Sequence, residues 1–179
     1  MENLLSLLAH PHSLLLSGLL FLIFVGLFHY FQGKINPGKR LKSLDARPGY
    51  TKAEVAEYFE TIGPRGREIY RFVAGRLDMV FPFVYGLLMF TALVGLHREY
   101  GHRFPFMAVL FGLPVLTMAF DYWENNNTLR LLNDYPVLDE AQVNSAARIT
   151  RIKRYLFILA MLPVLLAVVI GCLRWGKLV

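Results

Sequence analysis

Three carboxyl groups, Asp78, Asp121 and Glu124, and one carboxamide, Asn125, stand out because each borders a long apolar run. In the motif Asp121-x-x-Glu124-Asn125 the spacings of three and four residues put all three side chains on one helix face. Thr117 and Thr128 extend that face by a turn in each direction. Two carboxyl groups held together can act as general acid and base, or can hold Mg²⁺ against a phosphate. Asp78 carries a second feature. Pro82, four residues on, has no amide hydrogen, so the Asp78 carbonyl must find a partner outside the normal helical pattern. Carboxylates at the C-terminal end of a helix oppose its dipole by about 0.3–1 kcal/mol each. Asp121 and Glu124 therefore require a balancing charge: an arginine such as Arg67, Arg71 or Arg76, a proton, or a bound cation. In the plainer alternative, the acids simply pair with arginines and fasten helix ends together.

The elements that must position these groups are membrane-spanning helices. Four stretches, at about 13–32, 79–96, 104–123 and 155–173, are each long enough to cross a hydrocarbon core of about 30 Å at 1.5 Å per residue. Together they occupy nearly half of a chain that is 55% apolar, which leaves little for a separate soluble domain. The expected architecture is an all-α, four-helix transmembrane bundle forming a single membrane domain over residues 1–179. The first stretch resembles a secretory signal in position only. No Lys or Arg precedes residue 34, and Phe28-His29-Tyr30-Phe31 follows the apolar run, so it is expected to stay as a span.

Charge sets the orientation. Residues 33–77 hold ten Lys/Arg and residues 124–154 hold five, whereas the 98–103 connection and the C-terminal tail hold two each. With four spans, both long connections share one side, and the positive-inside tendency makes that side cytoplasmic, with both termini outside. Asp78, Asp121, Glu124 and Asn125 then meet at one depth in the inner leaflet, where His29 and Tyr30 also arrive. The +6 net charge thus reflects attraction to a membrane surface, at about 1 kcal/mol per Lys or Arg near anionic head groups. A nucleic-acid partner is not expected, because no binding module or aromatic platform accompanies the basic residues.

The 33–77 connection contains Pro37-Gly38 and Pro48-Gly49 turns, then a helix opened by Thr51 and Glu54 in the capping-box pattern. Val55, Tyr58, Phe59 and Ile62 give it one apolar stripe, and Gly63-Pro64 ends it. A second helix, from about 65 to 76, is expected to run straight into the second span. Such helices either lie in the membrane interface or roof a cavity between the spans. Residues 137–154 similarly suit a helix leading into the fourth span.

Other features carry little chemistry. His97 and His102 lack a third ligand, and His10 and His12 sit near a terminus. Tyr122, Trp123 and Trp175 suit interfacial anchors. The single cysteine, Cys172, cannot form an internal disulfide. Gly-rich phosphate loops, serine-nucleophile elbows and inverted repeats are absent from the sequence.

Tyr50-Thr51, Gly63, Gly66-Arg67, Tyr70, Asp78, Pro82, Tyr85, Pro114 and Asp121-x-x-Glu124-Asn125 together resemble a set of small four-span bacterial membrane proteins without an assigned activity. The resemblance covers about residues 48–136. It implies a bacterial inner-membrane location and that these positions form one unit, and it transfers no reaction. The architecture is also analogous to the four-span sterol-isomerase and sigma-2-receptor-like superfamily, without a residue-by-residue match. The expected function is a polar, acidic inner-leaflet pocket that binds, and in a stronger version modifies, a lipid or amphipathic small molecule. Asp78, Asp121 and Glu124 are the catalytic candidates, and His29, Arg67, Arg71, Tyr85 and Asn125 the binding candidates. The sequence leaves metal and cofactor unassigned. Two rivals stand beside this reading: a non-enzymatic assembly factor with a protein partner or a second copy of itself, and an ion or proton pathway.

Overall fold

The computed structural model describes residue 8, residues 10–38 and residues 41–175. Lys39 and Arg40 of the first long connection, Lys177 of the C-terminal tail and the Trp175 side chain lie outside the described part. The described residues are mostly helical and contain no strand.

Helix α1 (Pro11–Ile35) starts with proline in its first turn and ends with Lys34 in its last, both placements that a helix favours. Leu15, Leu16, Leu19, Leu22 and Ile23 point away from the protein, as they would towards lipid. Helix α2 (Lys52–Phe72) begins at the expected capping box. The Glu54 amide donates to Thr51 Oγ1 at 3.3 Å, and the Thr51 amide donates to Glu54 Oε2 at 2.7 Å. At Gly63 the backbone turns to φ +66°, which breaks the helix before Pro64 without ending it. A π-helical turn (Val73–Leu77) then joins α2 to α3 (Asp78–Tyr100), so the second helix does run into the second span. After a 3₁₀ segment (Pro105–Phe111) come α4 (Gly112–Asp134) and the long α5 (Glu140–Trp175).

Three helical stretches are long and apolar enough to cross a membrane: His12–Ile35, Lys52–Tyr100 and Glu140–Arg174. The third expected span, 104–123, is not among them. Its apolar residues are divided between the 3₁₀ segment and the first turns of α4, and α4 turns polar from Asp121 onward. No single α-helix therefore carries that apolar run.

The buried side chains form two cores. One lies around α3, with Tyr85, Leu88, Met89 and Ala92 packed on Ala160 and Val164 of α5. The other gathers Val55, Tyr58, Phe59 and Ile62 of α2 against Ile35, Leu131, Leu132, Val143 and Ala147. The apolar stripe of α2 is thus covered by protein and not by head groups, and this helix packs as a roof. Each such side chain contributes about 1.5–3 kcal/mol when fully buried. Between the two cores runs a layer of polar side chains.

Candidate functional site

Lys153 is the centre of that layer. It sits on α5, and its Nζ lies 2.8 Å from Glu124 Oε2 and 3.3 Å from Asp121 Oδ1. Both acids come from α4, at a separation of three residues, and face α5 together. Tyr85 of α3 donates its hydroxyl to Asp121 Oδ2 at 2.8 Å. Asp121, Glu124 and Asn125 are 1%, 3% and 2% exposed, so the pairing takes place in a dry environment where an unpaired charge would be costly. The required counter-charge is therefore a lysine of the last span, not Arg67, Arg71 or Arg76.

Asn125 meets the other requirement set by the sequence. Its Nδ2 donates to the Asp78 carbonyl at 2.7 Å, supplying the partner that Pro82 cannot. The Tyr122 hydroxyl donates to the next carbonyl, Met79, at 3.1 Å. These two bonds tie α4 to the first turn of α3 and leave the Asp78 carboxylate free to point elsewhere. Among the described residues it makes no hydrogen bond or ion pair.

Asp78 borders a cavity of about 350 Å³. Val25, Phe28, His29 and Gln32 of α1 form one wall. Opposite stand Glu124, Asn125 and Thr128 of α4 with Lys153. Tyr70, Val73 and Ala74 close the roof, and Phe81 lies one turn below Asp78. The connection between α1 and α2 adds Ser43 and Asp45. That connection is pinned from α5, where Arg151 Nε donates to the Pro48 carbonyl at 3.0 Å and Arg154 Nη1 to the Ala46 carbonyl at 3.3 Å. Glu124 turns one oxygen to Lys153, while the other, Oε1, is buried without a well-formed hydrogen bond among the described residues. Beside this layer the Tyr50 hydroxyl lies 3.3 Å from that of Thr150, and burial pushes its pKa up to about 12.

The structure brings Asp78, Glu124, Asn125 and His29 to the cavity, with Asp121 and Tyr85 one layer deeper. It does not bring Arg67 or Arg71 there. Arg67 donates to the Phe59 carbonyl at 2.6 Å and lies over the Tyr135 ring, and Arg71 bonds Asn133 Oδ1 and the Leu132 carbonyl. Both clamp α2 to the end of α4. His29 sits on the exposed rim, and His102 is exposed near the far end of α3. His97 packs edge-on against Phe111. Thr117 donates locally to the Leu113 carbonyl and does not extend the site. Trp123 is half-exposed, and Cys172 is exposed as a free thiol.

Lys153, Ser43 and Asp45 were missed in the sequence. Lys153 had a readable signal: Ala146, Thr150, Lys153, Phe157, Ala160 and Val164 recur every three or four residues and mark the inward stripe of α5. Ser43 and Asp45 had none, since a connection without regular periodicity does not declare which residues face inward. Among the described residues no three His, Cys, Asp or Glu side chains are grouped as metal ligands.

Comparison with protein-family models, with curated proteins and with solved structures finds no match to this chain.

Proposed function

We propose that this is a four-span membrane protein whose inner-leaflet cavity binds the polar end of a lipid or other amphipathic small molecule. The carrying observation is the cavity itself: a space of about 350 Å³ lined both by acidic groups and by Val25, Phe28 and Phe81. Amphipathic ligands need both kinds of wall. Val25 of α1 lines the cavity while 43% exposed, which supports a mouth at α1 with access from within the bilayer.

Four crossings remain compatible with the split third stretch. At about 2.0 Å per residue over the 3₁₀ segment and about 1.5 Å per residue from residue 112 to 123, the two pieces together extend about 32 Å. That matches a core of about 30 Å. The charge distribution then supports cytoplasmic placement of residues 33–77 and 124–154, in a bacterial inner membrane.

The Lys153 bridge favours one component of the assembly-factor rival, a structural role for Asp121 and Glu124, and argues against using that pair as general acid and base. Binding therefore has more support than turnover. A proton route has less: beyond Tyr85 the apolar core of Leu88, Met89 and Ala92 intervenes, and Ser17 and Thr91 farther out bond to each other at 3.1 Å.

Native mass spectrometry of the protein in mild detergent tests the proposal, comparing wild type with Val25→Trp, which narrows the cavity at a residue belonging to neither core. A defined adduct in wild type, lost in the variant at unchanged thermal stability, is expected. Identical heterogeneous lipid in both proteins would refute the pocket.

A further inference from the structure

We propose that the ligand presents a cationic nitrogen, an ammonium group, to the Asp78 side of the cavity. The proposal rests on the pocket reading above and specifies what that pocket selects. Around the cavity stand Asp45, Asp78 and Glu124, with Asp121 directly beneath, while Lys153 is the one lysine or arginine among the described lining residues. Lys153 is already engaged by Glu124 and Asp121, so it has little to offer an incoming phosphate. Asp45 and Asp78 make no ion pair within the described chain. Glu124 supplies an independent sign of a missing partner: it is 3% exposed, it lines the cavity, and its Oε1 accepts no well-formed hydrogen bond among the described residues. Buried carboxylate oxygens are normally satisfied, so a donor from outside the chain fits this position.

The remaining walls sharpen the chemistry. Phe28, Phe81 and Tyr70 line the same cavity. Aromatic faces beside carboxylates suit an ammonium, which gains from both. They suit a hydrated divalent metal poorly, and the described acids are not grouped as its ligands. The ammonium could belong to a lipid head group or to a free amine, and the test separates these sources.

Dodecylamine, dodecyl phosphate and ethanolamine are titrated into the full chain in dodecyl maltoside, with binding read by native mass spectrometry. Dodecylamine should bind wild type at least tenfold more tightly than dodecyl phosphate. Asp78→Asn should weaken dodecylamine about tenfold, as expected for loss of a charge-assisted contact, and Glu57→Gln, which removes an exposed charge away from the cavity, should not. Should Asp78→Asn fail to fold, Asp45→Asn, in the exposed connection, must show the same direction of change. Competition by ethanolamine would assign a free amine as ligand, and binding of dodecylamine alone would assign an amphiphile; both support the ammonium. Preference for dodecyl phosphate, abolished by Val25→Trp, would overturn the ammonium while leaving the pocket intact. Binding of neither amphiphile in a Val25→Trp-sensitive way would overturn both.

Discussion

At the scale of single residues, Lys153 is the group on which the polar layer depends. Removing one partner of a buried ion pair leaves the other charge uncompensated, at about 3–5 kcal/mol. Lys153→Met is therefore expected to lower stability by about that amount in a denaturant or thermal melt, and adding Glu124→Gln should recover part of it. An unchanged melt would mean that the bridge is incidental. Tyr50 gives a pH-dependent counterpart. Its hydroxyl titrates at about 12 in the fold against 10.0 for the ordinary side chain. The unfolded chain therefore loses that proton first. The Tyr50 contribution is complete below pH 10.0 and falls as pH rises towards about 12. Tyr50→Phe should flatten the loss of stability across this alkaline window, as measured by melts at successive pH values. The site was partly legible at this scale. Pro82 exposes a carbonyl by its chemistry alone, so a polar partner near Asp78 could be anticipated, and Asn125 is that partner. Lys153 was harder to see, because Arg148, Arg151 and Arg154 beside it give the segment the look of an ordinary basic flank.

At the scale of elements, the roof depends on how closely α2 can approach the end of α1. A Cβ added at Gly66 would lie 2.6 Å from the Ile35 carbonyl oxygen, which is backbone and cannot swing aside. Gly66→Val should therefore displace α2, lower the melting temperature by several degrees and open the cavity to water-soluble probes. Gly66→Ala should do so to a smaller extent, and equal stability of all three proteins would contradict the packing. The capping box, the Gly63-Pro64 break and the apolar stripe of α2 were readable because each is a local pattern with a local cause. The third apolar stretch was not. Hydropathy reports how much a segment favours lipid but not its helical type, and Pro105, Gly112 and Pro114 divide it in a way that summed hydropathy conceals. Whether α2 covers lipid or protein was equally closed to the sequence, since Leu131, Leu132, Val143 and Ala147 reach it from more than sixty residues away.

At the scale of the whole molecule, two apolar cores flank a polar layer, and the proposed topology puts the positively charged connections on the cytoplasmic side. With Cys172→Ser as background, Lys42→Cys should react with an impermeant maleimide only after cells are opened, whereas Arg98→Cys should react in intact cells. The reverse pattern would invert the topology and move the cavity to the outer leaflet. Occupancy of the cavity by an amphiphile links the three scales. The most direct measurement is photo-crosslinking in cells fed a diazirine-bearing fatty acid, followed by delipidating purification and peptide mapping. Crosslinks are expected to concentrate in residues 25–32 and 73–81 and to be lost in Val25→Trp. Crosslinks confined to the outward faces of α1 and α5, unchanged by that substitution, would contradict occupancy of the cavity.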